Sequence, residues 1–409
     1  MNVTVTPGRL SGCVTPPTSK SQGHRLLLAA ALAEGESVIC GLSPSKDIEA
    51  TTACICALGA QVRQEADGLH VVGRGGGFDR EKPRFFDCGE SGSTLRFMIP
   101  ISLAVAGGGS FTGRGRLMER PLKPYFDIFQ KRDIYYAREE GSERAGLEGE
   151  LTPGVYELPG DVSSQFVTGL LYALPLLKGD SRIVITTTLE SRAYVDMTLN
   201  VLARFGVAAR WEGEQTLLVP GNQLYRPARV SVEGDWSQAA FWYAARTLGS
   251  DVEVCGMDAA SRQGDKCIAS CCEQLAQDGE VELDVSQCPD LVPALGAVAA
   301  VRRGTTRIVN AARLRIKESD RLTAVAQVLN AMGAQVTELP DGLVIVGRES
   351  LTGGAEIDSY NDHRIAMMAA VAATRCKTPV TVLGAECVNK SYPNFWDDYK
   401  RLGGEIVRS

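Results

Sequence analysis

The sequence Ala57-Leu-Gly-Ala-Gln-Val-Arg-Gln-Glu-Ala-Asp-Gly-Leu-His-Val-Val-Gly-Arg74 occurs again as Ala331-Met-Gly-Ala-Gln-Val-Thr-Glu-Leu-Pro-Asp-Gly-Leu-Val-Ile-Val-Gly-Arg348, with 11 of 18 positions identical. Each copy contains a helix end, a Gly, a strand-like stretch, an Asp-Gly turn and a second strand-like stretch. A weaker copy runs from Arg204 to Gly221. Asp-Gly between two such stretches is typical of a β-hairpin. The pattern therefore predicts that a helix followed by a hairpin is a repeated unit of the fold.

A second series of motifs marks helix starts, because each places small or polar capping residues before an Ala/Leu-rich run. These motifs are centred on Lys20, Ser91, Ser163, Trp236, Asp290 and Asp362. Their spacings are 71, 72, 73, 54 and 72 residues. A second helix is predicted after each, near Asp47, Pro121, Tyr194, Asp265, Glu318 and Asn394. This period predicts six units of about seventy residues, of which the fourth is shortened.

Six units in 409 residues most simply form two domains of three units. Each unit holds two helices and several strands, so we predict an α/β fold. The Gly- and Pro-marked stretch Gly221-Asn-Gln-Leu-Tyr-Arg-Pro227 is the predicted crossover. The predicted domains are residues 16–226 and residues 1–15 plus 227–409. In this prediction, the N-terminal strand closes the second domain.

The composition excludes several classes of protein. The chain is 44% hydrophobic and 22% charged, with a net charge of −6, which opposes general binding to nucleic acid or to a membrane surface. No apolar run reaches membrane-spanning length, and the first residues lack the basic and apolar regions of a signal peptide. We therefore expect a cytoplasmic protein.

The twelve Cys residues are scattered and lie mostly in apolar stretches. Examples are Cys54, Cys56, Cys271 and Cys272. This usage predicts core thiols in a reducing compartment. The sequence has no C-x-x-C pair and no His near the Cys clusters, so we predict no zinc site.

The Gly-rich stretches 73–77 and 107–113 do not match a nucleotide-binding loop. Neither ends in Gly-Lys-Ser/Thr, and neither gives a dinucleotide fingerprint. We predict hairpin turns at both.

Charges are unusually placed in Arg315-Ile-Lys-Glu-Ser-Asp-Arg321, which precedes an apolar run with helical spacing. A helix N-terminus disfavours cations, so Lys317 and Arg321 oppose the helix dipole unless an anion binds between them. The alternative is a solvated charged face.

The other helix starts favour the anion-binding interpretation. Paired hydroxyls at Ser163 and Ser164 suit a phosphate, Arg side chains suit carboxylates, and Gly92 allows close approach of the backbone to a ligand. About six cations accompany only two well-placed acids, Asp290 and Glu318. We infer a small polyanionic substrate. Each of several residues also has an alternative interpretation. Ser163, Ser164 and Asp290 are then helix caps, Arg120 is a surface charge, and His363 is a core or capping histidine.

Four motifs together resemble the signatures of the 5-enolpyruvylshikimate-3-phosphate synthase family. They are Thr18-Ser-Lys-Ser with Arg25, Gly160-Asp-Val-Ser-Ser-Gln165, Lys317-Glu-Ser-Asp-Arg321 and Tyr360-Asn-Asp-His-Arg364. The resemblance extends from about Lys20 to Lys390. It implies two similar domains, each built of three βαβαββ repeats, in the fold called an inverse α/β barrel. It also implies that helix N-termini face a cleft between the domains. It also implies transfer of enolpyruvate from phosphoenolpyruvate to the 5-hydroxyl of shikimate 3-phosphate, without metal or organic cofactor. We expect the protein to be a monomer.

The resemblance also assigns residues to the two substrates. For shikimate 3-phosphate it implies Lys20, Ser21, Arg25, Ser163, Ser164, Gln165, Ser191, Tyr194, Asp290 and Lys317. For phosphoenolpyruvate, where glyphosate competes in the family, it implies Lys20, Gly92, Arg120, Gln165, Arg321, Arg364 and Lys390. The implied catalytic residues are Asp290, Glu318 and Lys20. Asp290 takes the 5-hydroxyl proton, and Glu318 protonates the methylene carbon.

The sequence departs from the family pattern at a few positions. Glu90-Ser-Gly-Ser93 stands where many members have Asn-Ala-Gly-Thr, Phe97 replaces a common Pro, and Arg313 replaces an Asn that contacts the sugar in some members. We expect these changes to affect the affinity for substrates and the response to inhibitors.

Two other functions remain as alternatives. Transfer of enolpyruvate to UDP-N-acetylglucosamine needs a reactive Cys in the loop before Arg120-Pro121, and Gly113 to Met118 contains none. A six-unit clamp around nucleic acid needs a basic inner face, which the acidic balance of the chain opposes.

Overall fold

The structure is a computed structural model that describes residues 1–75, 84–138 and 144–409. The chain divides into an N-terminal unit, Thr18–Glu233, and a C-terminal unit, Met1–Pro17 with Gly234–Ser409. The divisions thus follow Pro17 and Glu233, whereas the sequence predicted them after residues 15 and 226. The second division falls after Glu233, later than predicted, because residues 229–231 pair in parallel with residues 38–40 and so belong to a sheet of the N-terminal unit.

The strands are short. In chain order they are β1 (Val3–Val5), β2 (Ser11–Val14), β3 (Glu34–Cys40), β4 (Gln61–Glu65), β5 (Gly68–Arg74), β6 (Phe85–Asp87), β7 (Gly108–Thr112), β8 (Tyr135–Ala137), β9 (Arg144–Glu148), β10 (Val155–Leu158), β11 (Ser181–Ile185), β12 (Arg210–Glu212), β13 (Thr216–Val219), β14 (Arg229–Ser231), β15 (Asp251–Val254), β16 (Val281–Asp284), β17 (Thr305–Val309), β18 (Gln335–Leu339), β19 (Gly342–Val346), β20 (Glu356–Asp358), β21 (Val380–Leu383) and β22 (Ile406–Arg408).

The α-helices alternate with these strands. They are α1 (Lys20–Leu32), α2 (Lys46–Leu58), α3 (Gly92–Ala106), α4 (Lys123–Gln130), α5 (Ser164–Ala173), α6 (Arg192–Arg204), α7 (Trp236–Thr247), α8 (Ile268–Leu275), α9 (Val292–Ala299), α10 (Arg321–Ala331), α11 (His363–Ala373) and α12 (Phe395–Arg401). Among the described residues, no helix is both long enough and apolar enough to cross a membrane.

One sheet plan recurs in both units. In the N-terminal unit the strand orders are β14-β3-β5-β4, β6-β7-β9-β8 and β10-β11-β13-β12. In the C-terminal unit they are β16-β17-β19-β18 and β20-β21-β1-β22. In each, the first two strands are parallel and the other pairs are antiparallel. The chain order β-α-β-α-β-β is continuous in the sheets that begin with β6, β10 and β16. The predicted α/β class and repeat are confirmed.

The fourth repeat is shortened, as its 54-residue spacing predicted. Over the described parts of the chain, its sheet has two strands, β15 and β2, which pair in parallel. The N-terminal strand β1 lies between β21 and β22 and pairs antiparallel with both. It thereby provides the last strand of the sixth repeat.

The helix starts are also confirmed, each to within about one turn. Seven helices have an N-cap side chain that accepts a hydrogen bond from a backbone N–H in the first turn. These caps are Ser19, Ser45, Ser91, Ser163, Asp235, Asp320 and Asp362.

Each unit has its own hydrophobic core. In the N-terminal unit, α3 is buried on almost every side, which is typical of a central helix. It packs closely against α5, and this contact brings the first turns of the two helices together.

A polar joint fixes the contact between α3 and α5. Pro100 lies inside α3 and has no N–H, so it cannot bond the Arg96 carbonyl one turn earlier. The hydroxyl of Tyr125 donates to that carbonyl instead, at 2.7 Å. Gly169 of α5 faces the joint, where a Cβ would lie 2.3 Å from the Tyr125 hydroxyl and 2.5 Å from the Arg96 carbonyl oxygen.

Two predictions from the sequence were wrong. Residues 107–113 do not form a hairpin turn: Gly107 ends α3 with φ 74° and Gly108–Thr112 is β7. Of the other Gly-rich stretch, Gly73 and Arg74 end β5, and residues 76–77 lie outside the described residues. The Cys residues are not all core thiols either, because Cys13 and Cys255 form a disulfide and Cys56 is exposed.

We predict that Gly169→Ala destabilises the protein, because the added methyl must push α5 away from the backbone of α3. Overpacking of this kind costs roughly 1–3 kcal/mol, which chemical denaturation monitored by circular dichroism can measure. Gly8→Ala is the control, since a Cβ there meets nothing within 4 Å. Equal stability of the two variants would contradict this account of the joint.

Candidate active site

The predicted site residues divide between the two units, and the structure assembles a separate cluster in each. The N-terminal unit carries Lys20, Ser21, Arg25, Gly92, Arg120, Ser163, Ser164, Gln165, Ser191 and Tyr194. The C-terminal unit carries Asp290, Lys317, Glu318, Arg321, Arg364 and Lys390.

Lys20 is the first residue of α1, directly after the N-cap Ser19. Its Nζ donates to Oδ2 of Asp47 at 2.7 Å, and Asp47 lies in the first turn of α2. The carboxylate of Asp47 is favourably placed at a helix N-terminus. It also holds the Lys20 ammonium at the start of α1, where the helix dipole alone would repel a cation.

Arg25 joins the helices of the N-terminal unit. Its guanidinium donates to the hydroxyls of Thr198 and Thr168 and to the carbonyl of Tyr194. It also lies 5.2 Å from the centroid of the Phe97 ring, so the residue that departs from the family pattern contacts a predicted site residue. Burial lowers the pKa of Arg25 to about 10. Ser21 contributes its carbonyl oxygen, which accepts from Arg25 Nη1 at 2.7 Å.

Gln165 has its amide oriented by two neighbours on α3. Arg96 Nη1 donates to Oε1 at 2.7 Å, and the Nε2 of Gln165 donates to the Ser93 hydroxyl at 2.9 Å. Arg96 is buried and packs over the Phe166 ring. The cation therefore fixes which end of the Gln165 amide presents oxygen and which presents nitrogen.

Gly92 begins α3 and lies against the guanidinium of Arg120. A Cβ at Gly92 would be 2.6 Å from Arg120 Nη1 and 2.9 Å from Cζ. Arg120 itself is buried, not a surface charge. The absence of a side chain at Gly92 thus brings a cation next to the N-terminus of a helix, an arrangement that favours an anion.

Three serines occupy the starts of α5 and α6. Ser163 is the N-cap of α5 and accepts from the N–H of Gln165, and Ser164 is buried beside it. Ser191 precedes α6 with φ 54°, a conformation that non-Gly residues adopt at a cost and that is common at functional sites. The Tyr194 ring lies beside Arg25, 5.8 Å from its Cζ.

In the C-terminal unit, Arg321 is surrounded by three carboxylates. Its Nε donates to Asp362 Oδ2, its Nη1 to Asp290 Oδ1 and its Nη2 to Glu318 Oε2, at 2.7, 2.8 and 2.7 Å. The side chain is 1% exposed. Burial opposes its charge, but Asp362, Glu318 and Asp290 outweigh burial and raise the pKa of Arg321. These carboxylates supply the negative charge that the helix start of α10 requires.

Asp290 bridges three cations. Besides Arg321, it accepts from Arg364 Nη2 at 3.1 Å, and Lys317 Nζ lies 3.7 Å from its Oδ1. Burial favours the protonated form, but Arg364, Lys317 and Arg321 outweigh it and hold the pKa of Asp290 well below its usual range. Asp290 is therefore an ionised carboxylate at neutral pH.

Lys317 and Arg364 complete this cluster. Burial lowers the pKa of Lys317 to about 8, with Arg321 and Arg313 adding to the shift and Asp290 opposing it. Arg364 lies in the first turn of α11 and also donates to the Ser237 hydroxyl at the start of α7. Lys390 donates from Nζ to the carbonyl of Asn361, which has φ 50° in the motif before α11.

Sequence reasoning did not assign roles to Asp47, Arg96 or Asp362. Asp362 appeared only as a helix-start marker, yet it caps α11 and pairs with Arg321 from 41 residues away. The motif does contain a signal for this second role. An Asp next to His363 and Arg364 can pair with a cation as well as cap a helix. The His363 side chain is buried, in keeping with the core or capping interpretation.

Two clusters of metal-ligand type occur among the described residues, and neither contains a predicted site residue. They are Cys13 with Glu253 and Cys255, and Glu65 with Asp67 and His70. In the second, Arg63 pairs with Glu65 and Arg229 pairs with Asp67. These cations compensate the charge that would attract a metal ion.

Comparison with known proteins identifies the family. The sequence pattern of EPSP synthase (3-phosphoshikimate 1-carboxyvinyltransferase) matches residues 5–399. The chain belongs to the EPSP synthase family. It is 46% identical to the 3-phosphoshikimate 1-carboxyvinyltransferase of Clostridium perfringens (strain 13 / Type A) over 418 residues, covering 98% of each chain. It is also 46% identical to that of Clostridium kluyveri over 419 residues, covering 99% of this chain and 98% of the relative.

Two solved structures agree with the fold. The EPSP synthase of Acinetobacter baumannii superposes with a TM-score of 0.81 at 25% identity, over the full length of both chains. The enolpyruvyl transferase NikO of Streptomyces tendae has the same fold, with a TM-score of 0.80 at 17% identity and coverage of 100% of this chain and 98% of NikO. The family predicted from the four motifs is thereby confirmed.

We predict that Gly92→Ala displaces the guanidinium of Arg120, because the new methyl cannot occupy the same space. The Michaelis constant for phosphoenolpyruvate should rise by at least about tenfold, equivalent to about 1.4 kcal/mol, and inhibition by glyphosate should weaken more. Steady-state kinetics measures both. The affinity for shikimate 3-phosphate should change little, and an equal loss there would show that Gly92 has been assigned to the wrong substrate.

We predict that Asp362→Asn lowers stability by roughly 3–5 kcal/mol, because the buried charge of Arg321 loses a partner. The amide oxygen can still cap α11, so the loss reports the charge and not the cap. Thermal and chemical denaturation measure it. Asp358→Asn is the control, since Asp358 is exposed and caps a turn in the same segment. A loss no larger than that of the control would contradict the role given to Asp362.

Proposed function

We propose that the chain transfers the enolpyruvyl group of phosphoenolpyruvate to the 5-hydroxyl of shikimate 3-phosphate, with release of phosphate. This reaction belongs to the shikimate pathway of aromatic amino acid biosynthesis. Membership of the EPSP synthase family over residues 5–399 supports it. The observation that carries it is Asp290, an ionised carboxylate in contact with Lys317, Arg321 and Arg364.

We further propose that the N-terminal unit binds the phosphate groups. The start of α5 offers the Ser163 and Ser164 hydroxyls at a helix N-terminus, which suits the phosphate of shikimate 3-phosphate, and Ser191 adds a third hydroxyl. Lys20, Gly92 and Arg120 suit the phosphate of phosphoenolpyruvate. Gln165, with its amide orientation fixed by Arg96, contacts both substrates.

The C-terminal unit binds the carboxylates and moves the protons in this proposal. Arg321 and Arg364 hold the carboxylate of phosphoenolpyruvate, and Lys317 contacts shikimate 3-phosphate. Because these cations already pair with Asp290, an incoming carboxylate competes with Asp290 for their positive charge. This competition weakens the stabilisation of ionised Asp290 and raises its basicity when substrates are bound.

Two carboxylates of the protein move the protons in the proposed reaction. Asp290 accepts the proton of the 5-hydroxyl, and the oxygen forms a bond to C2 of phosphoenolpyruvate. Glu318 delivers a proton to the methylene carbon, giving a methyl group and a tetrahedral adduct. The C2–O bond to phosphate then breaks, the departing phosphate takes up the proton held by Asp290, and a methyl proton returns to Glu318 as the vinyl group reforms. Lys20, Arg120 and Lys390 stabilise the departing phosphate.

This proposal requires that both clusters act on the same substrates. Variants in either cluster should then impair binding of phosphoenolpyruvate. We also propose that the protein is a cytoplasmic monomer that binds neither nucleic acid nor membranes, in keeping with its net charge of −6. Sedimentation velocity tests the oligomeric state.

The alternative acceptor, UDP-N-acetylglucosamine, is disfavoured by the loop before Arg120. Gly113 to Met118 contains no Cys, and Gly115 has φ 57° with Glu90 directly beside it. A Cys at that position would be strained as well as crowded.

The function is tested by phosphate release. Protein with both phosphoenolpyruvate and shikimate 3-phosphate should release one phosphate per enolpyruvyl ether formed. Omission of either substrate should abolish release, and UDP-N-acetylglucosamine should not replace shikimate 3-phosphate. Phosphate release from phosphoenolpyruvate with UDP-N-acetylglucosamine as the acceptor, but not with shikimate 3-phosphate, would overturn the proposal.

We predict that Glu318→Gln lowers turnover by roughly 10²–10⁴-fold, the usual contribution of a positioned acid. In D₂O, the wild-type protein should also place deuterium in the vinyl group of the product, because the transient methyl group scrambles its hydrogens. Mass spectrometry should find that this exchange falls with turnover in the variant. Shikimate 3-phosphate should still bind within about tenfold.

Glu338→Gln is the matched control for this prediction, since Glu338 also pairs with an arginine, Arg315, at 2.7 Å. It should retain normal turnover and exchange. Near-normal turnover and exchange in Glu318→Gln would show that Glu318 is a structural charge and that another group carries the proton.

A further inference from the structure

The disulfide between Cys13 and Cys255 lies outside both clusters of site residues. Cys13 is in β2 and is exposed; Cys255 directly follows β15 and is half-buried. The two residues are 242 positions apart in the chain, with their Cα atoms 6.5 Å apart. The other ten Cys residues are free.

This disulfide joins the smallest sheet in the described parts of the chain. β2 and β15 have four residues each and form a two-stranded parallel pair, whereas the other sheets have four strands. Three of the four residues of β2 are exposed. A two-stranded pair has little stability of its own, so the covalent bond makes a large contribution to holding β2 in place.

The strand β2 continues into the segment that leaves the C-terminal unit. The Pro17 carbonyl accepts from the N–H of Asp235, the N-cap of α7. Gly256, next to Cys255, lies close to Thr15, where an added Cβ would be 2.9 Å from Thr15 Cγ2. The residues that follow β15 and those that follow β2 therefore lie close together.

We propose that Cys13 and Cys255 form a reversible redox-modification site, oxidised by low-molecular-weight disulfides and reduced by small thiols, whose state controls local opening of residues 10–17. The thiolate of exposed Cys13 attacks the small disulfide and releases one small thiol. The Cys255 thiolate then displaces the second small thiol from the mixed disulfide. One disulfide bond is consumed and one is formed, and the two protons lost by the cysteines appear on the two small thiols.

The exposure of Cys13 allows the first step, because exchange requires access to the sulfur atom. Cys54 and Cys88, by contrast, are buried, which denies an attacking disulfide access to their sulfur atoms. Cys56 is exposed but has no disulfide partner in the described residues. It therefore provides a control for oxidation of a single surface thiol.

The first test counts thiols. The full-length protein is equilibrated in buffers of defined reduced-to-oxidised glutathione ratio containing EDTA, because Glu253 beside the two sulfurs completes a metal-ligand set. Alkylation and peptide mass spectrometry should find one intramolecular link, Cys13 to Cys255, that forms and opens reversibly. Absence of this link in the most oxidising buffer, or a link that no thiol reduces, would overturn the proposal.

The second test measures the consequence. Hydrogen exchange of residues 10–17 should be at least about tenfold faster in the reduced protein than in the oxidised protein, and the melting temperature should fall by roughly 5 °C. Cys13→Ser and Cys255→Ser should match the reduced protein in every buffer, and Cys56→Ser should match the wild type. Exchange of residues 10–17 that is independent of the redox state would overturn the proposal.

Discussion

The buried guanidinium of Arg321 is the interaction on which the C-terminal cluster depends. Three carboxylates from three separate helix starts converge on it: Asp290 before α9, Glu318 before α10 and Asp362 before α11. A buried cation without these partners would be very costly. Because Asp290 also contacts Lys317 and Arg364, each added anion must redistribute positive charge that is already in use. In the proposed reaction, that redistribution links substrate binding to the basicity of Asp290.

The repeated βαβαββ plan explains why such helix starts are available. Four of the described sheets begin with a parallel pair that is joined through one helix, namely α3, α5, α9 or α11, so a helix N-terminus recurs at the same place in these repeats. In the N-terminal unit the plan is adjusted for close packing: Pro100 leaves a carbonyl unbonded, Tyr125 satisfies it, and Gly169 leaves room for both. This packing brings Arg96 and Gln165 into contact and orients the amide.

Much of this could be predicted from the sequence, because caps, turns and the repeat period are local signals. The six repeats, the shortened fourth repeat and the helix starts follow from them. Long-range pairings were not predictable in this way. The contact of Arg321 with Asp362 spans 41 residues, the bond from Tyr125 to Arg96 spans 29, and the disulfide of Cys13 spans 242. The exchange of β14 into the first sheet likewise depends on tertiary pairing and not on a local signal.

The central claim is that anionic substrates redistribute the charge around Asp290. Calorimetry of shikimate 3-phosphate binding at pH 8 tests it most directly. Repeating the titration in buffers of different ionisation enthalpy gives the number of protons taken up on binding. The pKa of Lys317 is about 8 in the empty protein, so this side chain is about half protonated at pH 8. A bound anion raises that pKa, whereas the substrate phosphate is already fully ionised. We predict uptake of about half a proton per molecule bound, with affinity falling as the pH rises above 8. Lys317→Arg, which remains charged, should bind without uptake. Binding of the wild-type protein without proton uptake, or equal uptake by the variant, would contradict the account.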